Sequence, residues 1–111
     1  MEKAIFDRFP SKNLRLFLII LQIHKVDVDS RDIMTWKEAG IFVSEPVFVP
    51  KPHANAEDEG VLCVTLLNAT SQSNVTLLIL DAKTLREEAR IKFSTEGSIA
   101  QAMHGLFIPD Y

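Results

Sequence analysis

Apolar positions along the chain fall in short runs with a period of two, separated by polar clusters, and not at helical spacing. Residues 22–28 alternate, with Ile23, Lys25 and Asp27 on one side and His24, Val26 and Val28 on the other. The cluster Asp27-Val28-Asp29-Ser30-Arg31-Asp32 predicts a turn, and residues 33–37 a returning strand. Gly40 breaks the chain. Val47-Phe48-Val49 is a short strand closed by Pro50 and Pro52, which cannot donate to a ladder. Gly60 ends an acidic loop. Residues 61–67 form a near-continuous apolar run that suits a strand buried on both faces. Residues 68–74 are polar and predict a turn, and residues 75–80 a second buried strand.

Two further stretches are less regular. Asp81-Ala82-Lys83-Thr84 predicts a tight turn whose aspartate accepts a local backbone N–H. Residues 85–93 carry two signals. Thr84-Leu85-Arg86-Glu87 has the form of a capping box that opens a helix. Ala89, Ile91 and Phe93 alternate as a strand does. A strand is expected, because two apolar strands joined by a tight turn need a partner of the same kind. Residues 1–15 carry no clear period, and no internal sequence repeat is visible. The pattern therefore predicts an all-β chain with antiparallel hairpins at about residues 23–37 and 61–93, and leaves sandwich and propeller blades both open.

Composition narrows the partners. In 111 residues, 47% hydrophobic and 24% charged, one globular domain is expected. The net charge of −3 and the lack of a Lys/Arg cluster argue against nucleic acid. The apolar run at 16–21 is too short to span a bilayer. No small-residue cleavage site follows it, so a cleaved signal is not expected. The single cysteine, Cys63, excludes an internal disulfide and suggests a reducing compartment, cytoplasmic or mitochondrial. Within Val61-Leu62-Cys63-Val64 it has the setting of a small core residue.

Little chemistry is visible by spacing. His24, His53 and His104 are not paired at metal-ligand separations. Taken alone, each is a structural or solvated histidine, and Glu45 is a solvated glutamate before a proline. Glu57, Asp58 and Glu59 match no calcium loop, so a solvated acidic loop is expected. Trp36 is expected to pack between sheets.

Several segments agree in order with a known family. They are Ser44-Glu45-Pro46-Val47-Phe48-Val49-Pro50, the acidic loop before Gly60, the run Leu77-Leu78-Ile79-Leu80-Asp81-Ala82-Lys83-Thr84-Leu85, and Met103-His104-Gly105-Leu106-Phe107. Together they resemble the C-terminal end of the carotenoid oxygenases over roughly residues 23–110. The resemblance departs at Phe42-Val43, where the family usually has an aromatic–proline pair, and at Met103, where it usually has an aromatic residue.

The resemblance implies a partial β-propeller, the last blades of a seven-bladed one, over residues 23–111, with residues 1–22 an atypical, unassigned segment. It implies iron(II), held in the family by four histidines. His104 would be one of them, and Glu45 would receive the ring N–H of a ligand histidine and fix its orientation. Neutral imidazole suits ferrous iron, and four nitrogens leave positions open for dioxygen. The implied activity is oxidative cleavage of a carotenoid double bond by dioxygen, giving apocarotenoid or retinal aldehydes, with retinoid isomerohydrolase chemistry as the enzymatic alternative. The implied substrates dissolve in membranes, so peripheral membrane contact comes with them. Three of the four histidines do not appear in matching motifs. The chain as given is therefore expected to be an inactive fragment, prone to self-association. The competing class is a non-catalytic β-rich remnant or interaction module.

Overall fold

Period-two patterning that leaves one face apolar drives strands together in pairs, and the chain pairs throughout in antiparallel fashion. The structure, a computed structural model, describes residues 22–71, 73–97 and 107–108, and the backbone of two strands at 3–6 and 14–19. Nine strands are formed by the described residues: β1 (Lys3–Phe6), β2 (Leu14–Ile19), β3 (Gln22–Asp27), β4 (Ile33–Lys37), β5 (Ile41–Val43), β6 (Val47–Pro50), β7 (Gly60–Asn68), β8 (Asn74–Asp81) and β9 (Glu87–Ser94). Strands β1-β2-β3-β4 make one sheet in chain order. The second sheet runs β5-β7-β8-β9, with β6 also pairing β7. Both expected hairpins are present, β3–β4 and β7–β8–β9. Residues 87–94 are a strand, not a helix, because β9 completes the ladder on β8 from Asn74 to Leu80.

The two sheets meet through one row of each. Leu62, Val64 and Leu66 of β7 and Leu78 and Leu80 of β8 lie at 0–1% exposure, and Ile23 of β3 joins their cluster. Trp36, the cross-strand partner of Ile23, packs against the same cluster, as does Phe48. The buried side of β3 is thus the side that carries Lys25. That side chain is 5% exposed. It is accommodated because its Nζ donates to Asp58 Oδ2 at 2.8 Å and to the Lys83 carbonyl at 3.1 Å. The expectation of a wholly solvated acidic loop is corrected here: Asp58 is 15% exposed and ion-paired, since an ammonium drawn into an apolar junction needs a carboxylate beside it. A second tie joins the sheets at their other end. The Arg90 guanidinium of β9 donates to Glu38, just after β4, at 2.8 and 3.3 Å. Hydrogen bonds donated first to Glu38 and second to Glu87 hold that guanidinium well above its ordinary pKa.

The two tight turns share one geometry that the sequence does not advertise as a repeat. In each, an aspartate carbonyl accepts from the residue four ahead, and its N–H donates to the carbonyl of the residue five ahead. For Asp27 these bonds reach Arg31 at 2.7 Å and Asp32 at 3.0 Å; for Asp81 they reach Leu85 and Arg86, both at 2.8 Å. The aspartate side chain caps the turn, accepting from Asp29 and Ser30 in one case and Lys83 in the other. The fifth residue must then be left-handed, and Arg31 (φ 66°) and Leu85 (φ 59°) both are. Leu85 is held by burial at 5% exposure, whereas Arg31 is exposed. Arg31→Gly should therefore raise stability by about 1 kcal/mol, and Leu85→Gly should lower it by about 2 kcal/mol or more through the lost burial. Urea unfolding midpoints of the two variants check the opposite signs.

Candidate metal-orienting site

The segment Ser44-Glu45-Pro46 interrupts the strand that borders β7. Val43 pairs with Leu66 and Val47 with Cys63, so three residues of the border strand stand against two of β7, Val64 and Thr65. The Ser44 N–H still donates to the Thr65 carbonyl at 3.0 Å. The surplus residue therefore falls at Glu45 and Pro46, which together face Val64. Proline supplies the reason the ladder breaks here, since it has no N–H to donate. A bulge of this kind bends an edge strand and re-aims a side chain, and such bulges are common beside functional sites.

The bulge is fully buried. Ser44 is 2% exposed and Glu45 6%, and Pro46 is among the most buried side chains of the chain. Glu45 is therefore not the solvated glutamate that its setting in the sequence suggests. The Ser44 hydroxyl has no hydrogen-bond partner among the described residues. A buried unpaired hydroxyl costs about 1–3 kcal/mol, so this one calls for a partner beyond the described residues, a water or ion included. The motif marks the segment, but no signal in the linear sequence marks its burial or the one-residue surplus, because both follow from how β5 and β6 share a neighbour.

His104 lies outside the described residues, so its position relative to Glu45 does too. His24 is half-buried in β3, with Nδ1 2.9 Å from the Thr35 hydroxyl. His53 is exposed in the loop after β6, in a left-handed conformation (φ 57°). Among the described residues no three or more of His, Cys, Asp and Glu are grouped so as to hold a metal. Cys63 is half-buried, and burial raises its thiol pKa, which suits a packing residue and not a nucleophile. An open cleft of about 530 Å³ lies at the far end of the same sheet, bordered by Pro50, Lys51, Glu59, Gly60 and Lys83; Glu45 does not line it.

Comparison with known proteins places this architecture. Consecutive four-strand-wide antiparallel sheets packed face to face are the blades of a β-propeller. The family described as retinal pigment epithelial membrane protein matches residues 8–109. The chain belongs to that family, the carotenoid oxygenases. It is 35% identical to the carotenoid isomerooxygenase of Drosophila melanogaster over 97% of its own length and 19% of that protein's. It is 34% identical to the mitochondrial carotenoid-cleaving dioxygenase of Homo sapiens, over 94% of this chain and 19% of the relative. With the β,β-carotene 15,15′-dioxygenase of Gallus gallus it shares 39% identity over 79% of this chain and 16% of the relative. The chain spans about a fifth of the length of the curated relatives it matches. Among solved structures, cobalt-substituted Synechocystis apocarotenoid oxygenase superposes with a TM-score of 0.68 at 25% identity, covering 83% of this chain and 21% of that one.

Proposed function

We propose that this chain supplies the closing blades and one metal-orienting carboxylate of an iron(II)-dependent oxygenase that cleaves a carotenoid double bond to give apocarotenoid or retinal aldehydes. The observation that carries this reading is the buried bulge at Glu45 in a chain of this family. A carboxylate held at 6% exposure beside an orphaned hydroxyl fits a residue that receives an imidazole N–H. The residues present fit the implied metal in that limited sense. His104 would ligate it, and Glu45 would accept the ring N–H of a ligand histidine and hold its orientation. Ferrous iron, when bound, supplies activation of dioxygen. The chain's own contribution is to hold the Glu45 carboxylate in a buried bulge and aim it.

Residues 1–111 alone should be catalytically silent, since one family histidine cannot hold the metal. The test is a chimera in which residues 23–111 replace the matching segment of a full-length relative. Cleavage of β-carotene in detergent and bound iron per protein are measured together. The chimera should retain iron and turnover. His104→Ala should abolish iron binding, and Glu45→Gln should weaken iron affinity by about 10–100-fold. Iron content unchanged in both variants would overturn the reading. The particular substrate, and peripheral contact with a membrane that holds it, belong to the same proposal. So does a reducing location, cytoplasmic or mitochondrial, which fits the half-buried reduced Cys63.

A further inference from the structure

We infer that the open edge of β4 is a self-complementary docking strand through which two copies of this chain pair antiparallel about a twofold axis at Thr35. The inference does not depend on the proposed catalytic role.

The two outer strands of the described sheets are built differently. β9 borders the second sheet and carries Glu87, Glu88, Arg90 and Lys92, with an irregularity opposite Ile79 and Leu80. Charges and a bulge are the usual protection of an edge. β4 borders the first sheet, Ile33-Met34-Thr35-Trp36-Lys37, with no neighbour on its outer side among the described residues. It has no proline, no bulge in its pairing with β3, and one charge, at its end. Ile33 is 64% exposed and Met34 43%. Val28, at the tip of the same hairpin, is 46% exposed. An edge so unprotected is a template for strand addition.

The register of the hairpin says which backbone groups the edge presents. The Asp27 N–H donates to the Asp32 carbonyl, and hydrogen-bonded pairs alternate along an antiparallel ladder. The pairs Asp27/Asp32, Lys25/Met34 and Ile23/Trp36 are therefore the bonded ones. The N–H and C=O groups of Ile33, Thr35 and Lys37 then point away from β3, toward the open edge. Laid antiparallel on a second copy with Thr35 opposite Thr35, these same residues meet as bonded pairs, Ile33 with Lys37 on either side of the axis. Met34 falls opposite Trp36 of the other copy, an apolar cross-strand pair. Thr35 opposite Thr35 is also favourable. Within Ile33–Lys37 no charge meets a like charge; just beyond the strand Asp32 falls opposite Glu38 of the other copy, whose carboxylate is neutralised by Arg90. The contact closes as a twofold dimer, because the same patch serves both copies.

The obvious rival is the second apolar face of β8 and β9, where Ile91 is 50% exposed and Phe93 47%. Sedimentation velocity over a concentration series separates the two. The chain should show a concentration-dependent doubling of mass. Thr35→Pro should abolish it, since the N–H it removes points outward, and Ile33→Lys should abolish it by setting a lysine opposite Lys37. Ile91→Glu should leave it unchanged. In a Cys63→Ser background, Thr35→Cys should crosslink two copies as a disulfide with oxidised glutathione as the oxidant, because bonded antiparallel pairs bring Cα atoms within disulfide reach. Met34→Cys should not. The crosslink can be read at concentrations where the dimer is sparse. A strictly monomeric chain with no Thr35→Cys crosslink, or a dimer lost in Ile91→Glu and kept in Ile33→Lys, would overturn the inference.

Discussion

Asp58→Ala is expected to lower the unfolding free energy by about 3 kcal/mol, the cost of taking the carboxylate away from beside a buried charge. The pair sits where the sheets meet: Lys25 is 5% exposed and Asp58 15%. Removing the carboxylate takes away the anion 2.8 Å from the ammonium, and the Lys83 carbonyl at 3.1 Å is a neutral and weaker acceptor. The same substitution frees the loop after β6, so residues 51–59 should become more sensitive to protease. A hydrophobic pair, Lys25→Met with Asp58→Leu, should recover most of the loss, because two desolvated charges contribute little more than well-packed apolar groups of similar volume. Urea unfolding of the two single variants and the double variant forms a cycle. A single-variant loss below about 0.5 kcal/mol would mean that the ion pair is solvated in solution and does not tie the sheets.

The second large effect is expected at Gly60. Its backbone has a φ of +156°, and a methyl group there would meet the Val49 carbonyl oxygen, Pro50 Cα at 2.9 Å and Phe48 Cε1 at 3.0 Å. The first two obstacles are backbone. They belong to β6, which pairs with β7 through Pro50 and Gly60. A side chain at Gly60 can be accommodated only by moving β6, and the Glu45 bulge immediately precedes β6. Gly60→Ala should cost about 3 kcal/mol in strain and displaced pairing, enough to lower the thermal midpoint by more than about 10 °C. Gly40 provides the control. It also has a positive φ, +75°, but nothing lies within 4 Å of an added methyl. Gly40→Ala should therefore cost only about 1 kcal/mol, the conformational part alone. Equal midpoints for the two variants would show that β6 yields easily, and would weaken the view of the bulge as a rigid mount for Glu45.

Much of the strand layout is legible in the linear sequence. Runs such as residues 61–67 and 75–80 are apolar but for one threonine each, and a polar turn between them leaves little but a buried hairpin. The turn at Asp81 is equally local, since the aspartate and the backbone groups it accepts lie within a few residues. The motif Ser44-Glu45-Pro46 marks the site by resemblance, for the same reason: it is a contiguous string.

What the sequence could not decide is which side of an alternating strand goes inside and what its charges meet there. On β3 the side with Val26 and Val28 looks more apolar, yet the side with Ile23 and Lys25 is buried. The choice belongs to the second sheet, whose row of Leu62, Val64 and Leu66 receives Ile23, and to Asp58, 33 residues away, which makes burial of Lys25 tolerable. Glu45 is settled the same way. A glutamate before a proline is ordinarily solvated; here β5 and β6 share β7 with one residue too many, and the surplus is folded inward. Local pattern determines strands and turns because its causes lie within a few residues. Burial of a charge depends on a partner brought near only by the packed fold.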